Sequence, residues 1–222
     1  MLVIESYIQQ LIASLKDHFG NRLLYVGLQG SYLRGEATDS SDIDIMVILD
    51  TLGVCDLDRY RNIIQSLDYA NRSCGFICSR EDLANWNPLE IWNLLNGTKD
   101  YFGSLADYVP AYERQDILNF MKVSLNNLYH GLCHSYIHGN LKGNSATLAC
   151  LYKSVFFILQ NLYYLEYERY VGTKAEMLSL SNGINREVLR CSLELNAGKP
   201  VDFDAAFSLL LKWCQETIRL PF

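Results

Sequence analysis

"GLQGSYLRGEATDSSDIDIMVIL" spans residues 27–49, and its reading decides the fold. An apolar segment breaks at Gly30-Ser31. Ten residues, rich in polar side chains and glycine, separate Ser31 from Asp42, and Asp42 and Asp44 then flank one isoleucine at the mouth of a second apolar run. On a strand, residues i and i+2 point to one face, so Asp42 and Asp44 project together while Ile43 and Ile45 turn to the core. Two carboxylates side by side repel unless a cation lies between them. Mg²⁺ suits such a pair, because it binds few carboxylates and takes its other ligands from water and phosphate. Two such ions can clamp the attacking and leaving oxygens of a phosphoryl or nucleotidyl transfer. Gly30 lets the backbone approach a ligand closely, and the amides opening the next helical turn, with the Ser31 hydroxyl, favour an anion. An acidic pair or a Gly-Ser turn alone is common; the two together, on two strands at this spacing, are specific.

Outward from that stretch, the first half reads as mixed α/β. Ile4, Ile8, Leu11, Ile12, Leu15 and Phe19 recur at helical spacing and predict a helix over 2–19. Strands are expected at 22–28, 42–49 and 75–79, with a short one at 100–103. Helices are expected at 56–70, at "REDLANW" and after Pro88. Beyond Pro110 the pattern is helical throughout, with helices at 113–138, 144–170, 174–181, 184–196 and 203–219, broken at 139–143 and 198–200. The expected division is 1–109 and 110–222, an α/β part followed by an all-helical part.

The 222 residues carry a net charge of −6, with 50% hydrophobic and 20% charged residues, which argues against disorder. Without a basic excess, neither nucleic acid nor an anionic membrane is an expected partner. The cysteines are seven, an odd number, with no CxxC pair. No signal peptide is evident, so a reducing cytoplasm is expected. "LYKSVFFILQNLYYLEYERY" is interrupted by Lys153 and Glu166, so no membrane span is expected.

The stretch "LQGSYLRGEATDSSDIDIMV" resembles the signature of the DNA polymerase β-type nucleotidyltransferase superfamily. It is similar to small bacterial members, the aminoglycoside and lincosamide nucleotidyltransferases and the minimal nucleotidyltransferases. The match covers residues 22–50, with weaker likeness through "CGFICSREDL". "LYKSVFFILQNLYYLEYERYVGTKAEML" resembles the helical domain of kanamycin-nucleotidyltransferase-like and HEPN-like proteins. The resemblance implies an α+β fold, a polymerase-β-like core with a mixed sheet followed by a helical, substrate-binding bundle. It implies that Gly30 and Ser31 bind the nucleotide phosphates, with Arg34, Ser41 and Lys153 as further nucleotide contacts. Asp42 and Asp44 would be the catalytic carboxylates and hold Mg²⁺, as one ion or two. ATP or another NTP would donate a nucleoside monophosphate to a hydroxyl of a small molecule such as an antibiotic, releasing pyrophosphate. The alternatives are a protein-modifying, antitoxin-type enzyme with a toxin partner, and a nucleotide-binding regulator.

The regulator follows from one departure. The family supplies a third carboxylate from a later strand, and here "CGFICS" offers Gly75 and Phe76 instead. Glu81 and Asp82 come after that strand and are poor substitutes by geometry, so either a carboxylate from elsewhere, such as Asp100, completes the site or the catalytic base comes from the helical half. His130, His134 and His138 lie one turn apart on a helix, as a metal row, a polar face or a source of the general base. The tyrosines of "YYLEYERY" read as helix packing or as an aromatic wall for a ring. Trp86 and Trp92 read as packing. The tyrosine- and leucine-rich helices equally suit a homodimer interface. A HEPN ribonuclease is disfavoured, because no Arg lies between 115 and 168 to precede the histidines.

Overall fold

A computed structural model describes residues 3–221; Met1, Leu2 and Phe222, among them the first residue of the predicted 2–19 helix, lie outside the described residues. The chain forms two compact units, Met1–Tyr112 and Glu113–Phe222.

The first unit runs α1 (Ile4–Phe19), β1 (Leu23–Leu28), α2 (Gly30–Leu33), β2 (Ile43–Leu49), α3 (Val54–Ser66), β3 (Ser73–Ser79), α4 (Arg80–Ala84), α5 (Pro88–Asn96) and β4 (Lys99–Phe102). Its four strands form one sheet in the order β3-β2-β1-β4. β1 runs antiparallel to both β2 and β4, whereas β2 and β3 are parallel, joined by α3 as crossover. Alternation along β2 splits the core. Ile43, Ile45, Val47 and Leu49 pack with Ile8, Leu11 and Leu15 of α1 and Ile63 of α3. Met46 and Ile48 face the other way, against Tyr25, Cys78, Leu83 and Leu105. Arg22 fastens the ends of the two central strands to α3: Nε bonds Asp50 at 2.9 Å and Nη1 bonds Asp56 at 2.8 Å. That fork holds the Asp56 carboxyl down at about 2.

The boundaries differ from expectation where capping overrides the apolar pattern. The predicted 56–70 helix starts earlier, with Asp56 bonding the Gly53 amide, and ends at Ser66. Residues 70–72 form a separate 3₁₀ turn leading into β3, which begins two residues earlier than its apolar run. β2 begins at Ile43, so Asp42 stands just before the strand instead of on it.

The second unit is helical: α6 (Arg114–His138), α7 (Ser145–Tyr167), α8 (Lys174–Leu180), α9 (Gly183–Asn196) and α10 (Phe203–Ile218). α7 is its centre, with Tyr152, Val155, Phe156, Ile158 and Leu159 buried. Tyr152 donates to the Ala206 carbonyl at 2.7 Å and accepts, through its own carbonyl, from Ser192 at 2.9 Å. The 144–170 prediction overran, because Glu168 takes a left-handed conformation and stops α7 at Tyr167. By length and composition α7 could cross a membrane after all, yet its most apolar window is 56% buried inside the unit, as expected of a core helix.

Candidate active site

At the mouth of β2, Gly30, Arg34 and Asp42 stand near Asp44. Asp44 is the second residue of β2 and half-buried; Asp42 precedes the strand and is exposed. Burial first, and the neighbouring Asp42 charge second, push the Asp44 carboxyl above the usual carboxylate range. Arg34, at the end of α2, and a hydrogen bond with the Cys74 thiol pull it back. Arg34 also bonds Glu36 at 3.0 Å. A half-buried carboxylate beside a second carboxylate is a charge arrangement that a cation would relieve.

Gly30 is fitted to that carboxylate. Its φ is +71, and a Cβ built there would lie 1.9 Å from Asp44 Oδ2. The Gln29 amide donates to the Asp44 carbonyl at 2.8 Å, locking the end of β1 to the start of β2 at this point. α2 then opens at Gly30, and its first amides have no intrahelical acceptor. Gly30→Ala is therefore expected to displace Asp44, lowering turnover by on the order of 10²-fold. Steady-state pyrophosphate release checks it, with a melting curve to show that the variant is folded.

Other candidates resolve differently. Ser41 belongs to the loop itself: its hydroxyl accepts from the Thr38 amide at 2.8 Å and its amide donates to the Thr38 carbonyl at 3.0 Å. Lys153 is exposed on α7, in the second unit. Asp100, the proposed substitute carboxylate, sits on β4 level with Gly27, across β1 from β2, and accepts from the Tyr25 hydroxyl at 2.6 Å. It does not join the pair. Asp82 is occupied as well, closing the capping box of α4 with Ser79 at 2.6 Å.

The strand register corrects the reading of "CGFICS". Cys74 pairs with Asp44 and Gly75 with Ile45. Paired residues share a face, so Cys74 and Phe76 lie on the Asp44 side and Gly75 on the opposite one. The residue beside Asp44 on the next strand is thus a cysteine. Arg72, which the sequence reading missed, bonds the loop that carries Asp42. The only signal for it was a basic residue just ahead of a strand.

His130, His134 and His138 form an exposed row on α6, with ring centroids 5.7 and 5.2 Å apart. Among the described residues no group of three or more His, Cys, Asp or Glu is arranged to hold a metal. Tyr163 and Tyr167 meet at 4.5 Å on α7 beside a cavity of about 220 Å³ that Glu166, Asn182 and Asn185 also line. Trp92 is buried, and Trp86 packs edge-on against Phe76 and donates to Glu90.

Residues 8–73 match a family model described as a nucleotidyltransferase domain. The chain is also 32% identical over 104 residues to a Methanocaldococcus jannaschii protein named "Putative protein adenylyltransferase MJ1305", across 44% of this chain and 70% of that one. The chain belongs to the nucleotidyltransferase family. The match contains the Gly30-Ser31 turn and the Asp42–Asp44 pair, and with the relative it marks this nucleotidyltransferase as an adenylyltransferase-like enzyme. Its fold is also that of the crystal structure of spectinomycin adenyltransferase AAD(9) from Enterococcus faecialis with ATP and spectinomycin. The TM-score is 0.63 at 13% identity, covering 97% of this chain and 99% of that one. A crystal structure of a toxin–antitoxin with AMP-PNP aligns more loosely, with a TM-score of 0.33 at 23% identity over 58% of this chain and 93% of that one.

Proposed function

We propose that this nucleotidyltransferase moves an adenylyl group from ATP to an acceptor hydroxyl, releasing pyrophosphate, with Asp42 and Asp44 as its metal-holding carboxylates. The observation that carries this is the contact of Asp44 with Gly30. The left-handed conformation and the missing side chain at position 30 let the Asp44 carboxylate sit directly against the backbone of the Gly-Ser turn. The donor set suits Mg²⁺: two hard carboxylate oxygens on one side, leaving the remaining positions to water and phosphate. When bound, the ion would offset the charge of the triphosphate. Asp42 and Asp44 would hold it, Gly30 would let the phosphates come close, and the Ser31 hydroxyl and Arg34 would fix their orientation. Catalysis would rest mainly on positioning and charge. Cys74 beside Asp44 means that no third carboxylate enters from β3, which leaves more of the metal shell to water.

Our reading of the acceptor as a small ring-bearing, hydroxylated molecule such as an antibiotic is supported by the aromatic and polar lining of a cavity in the second unit, Tyr163, Tyr167, Glu166, Asn182 and Asn185. A second reading, transfer to a hydroxyl of a protein, is favoured by the name of the 32% identical relative. The test is pyrophosphate release with each NTP and Mg²⁺ against a panel of aminoglycosides and lincosamides. Mass spectrometry of the enzyme and of co-purified protein runs alongside. Acceptor-dependent release with ATP, lost in an Asp42→Ala/Asp44→Ala double variant, supports the first reading. An AMP adduct on protein alone supports the second. ATP binding without any product would overturn both and leave a nucleotide-binding role.

A further inference from the structure

Asp42 poses a mechanical problem. It is exposed, it precedes β2, and it ends a loop of residues 35–42 whose Thr38, Asp39 and Ser40 are exposed as well. Such a loop does not hold a carboxylate in place by burial. Its first residues are tied to α2, the Gly35 and Glu36 amides donating to the Tyr32 and Ser31 carbonyls at 3.3 and 2.9 Å; farther along, the bonds of Thr38 to Ser41 and Ser40 close a small turn without reaching another element.

The tie comes from Arg72, the last residue of the 3₁₀ turn before β3. Its Nε and Nη2 both donate to the Ser41 carbonyl, at 3.0 and 2.8 Å. Nη2 also reaches the Thr38 carbonyl at 3.2 Å and the Tyr32 hydroxyl on α2. Among the described residues, every hydrogen bond from 38–41 to another segment goes to this one guanidinium. The ring centroids of Tyr32 and Tyr69 flank it at 5.8 and 5.9 Å, within reach of a cation–π contact. Tyr69 itself takes a left-handed φ of 64°, and the Arg72 amide donates to its carbonyl at 2.8 Å. The parallel register continues the logic. Ser73 pairs with Ile43, so Arg72 stands level with Asp42, one residue ahead of the ladder on its own strand as Asp42 is on β2.

We infer that Arg72 is a positioning residue for the metal site: it clamps the 38–41 turn to the mouth of the sheet so that Asp42 stands beside Asp44. This rests on the reading that Asp42 and Asp44 hold the divalent cation. The planar fork is needed, because one head group serves two carbonyls and a hydroxyl at once. A lysine ammonium is a point donor on a flexible stem and cannot hold all three in that geometry. Losing the clamp leaves both carboxylates in the chain but lets one of them wander, so the expected defect is in metal affinity.

The experiment uses Mn²⁺ as probe, titrated by water-proton relaxation into the full chain, the Asp42→Asn variant, Arg72→Met and Arg72→Lys. Melting curves run in parallel, as does the metal dependence of turnover. The expected result is a Mn²⁺ dissociation constant raised about 10- to 100-fold in Arg72→Met, the range seen when groups supporting a metal ligand are removed. Arg72→Lys should fall between Met and wild type. Turnover in both should recover toward the wild-type kcat as metal is raised. A role in folding alone would lower the melting temperature and leave the dissociation constant unmoved, and that result overturns the inference. If Arg72→Met does not fold, Arg72→Lys decides by the same measure: wild-type Mn²⁺ affinity there overturns it. If Asp42→Asn binds Mn²⁺ as wild type does, the fault lies in the reading of the metal site, and Arg72 has no ligand to position.

Discussion

Asp44→Asn is expected to lower turnover by on the order of 10³-fold, and yet to raise the melting temperature of the metal-free protein. The loss follows from removing the carboxylate proposed to hold the metal, which no neighbour replaces: Asp100 is engaged with Tyr25, and β3 offers Cys74. The gain follows from the electrostatics. Burial and Asp42 hold the Asp44 carboxyl above its ordinary value of 3.8. The folded chain therefore binds this proton more tightly than the unfolded chain does, and ionisation works against folding. Asparagine keeps the shape and drops the charge. Wild type should accordingly regain stability relative to the variant as pH falls through the raised value toward 3.8, where the difference closes. Asp50 and Asp56 shift in the opposite direction in both proteins, so the informative quantity is the difference between them. Adding Mg²⁺ should raise the melting temperature of wild type and leave the variant unmoved. Calorimetry across pH, with and without metal, measures all of this. A variant that melts below wild type in metal-free buffer, or that turns over normally, would contradict the assignment.

Gly75→Ala is expected to cost about 3 kcal/mol or more of stability. Its φ is +145, and a Cβ would lie 2.0 Å from the Ile45 carbonyl oxygen and 2.8 Å from the Ile45 amide nitrogen. These are backbone atoms of the neighbouring strand, so no rotamer change relieves the overlap, and β3 must move off β2. Gly53→Ala serves as control. Its φ is −131, and the nearest atom to a new Cβ is Asp56 Oδ2 at 3.9 Å, so it should shift the urea midpoint little. Equal midpoints for the two variants would show that β3 tolerates displacement and that the register drawn here is looser than it looks.

The sequence disclosed what local geometry governs. The burial of Ile43 and Ile45 and the break at Gly30 follow from strand alternation and glycine conformation within one short segment, whereas Asp42, read as a strand residue, stands just ahead of β2. The mixed α/β half and the helical half were legible from hydrophobic period for the same reason. What lay hidden depends on partners far along the chain. That Cys74 and not Gly75 stands beside Asp44 is a matter of parallel register, which no residue in "CGFICS" announces. Asp100 looked available because its bond to Tyr25 crosses 75 positions, and Arg72 looked ordinary because its acceptors lie 31 to 40 positions away. The Ser41 hydroxyl also accepts from the Thr38 amide within its own turn, a bond the spacing alone does not announce.

The mixed sheet also divides the candidate site between two strand pairings. The antiparallel pairing of β1 with β2 seats Gly30 against Asp44. The parallel pairing of β2 with β3, reached through the α3 crossover, brings Cys74 beside Asp44 and Arg72 to the loop that bears Asp42. On the reading that Asp42 and Asp44 hold a cation, the two carboxylates are thus supported by different partners, one by each side of β2, and a chain that lost only β3 would keep its glycine contact and lose its clamp.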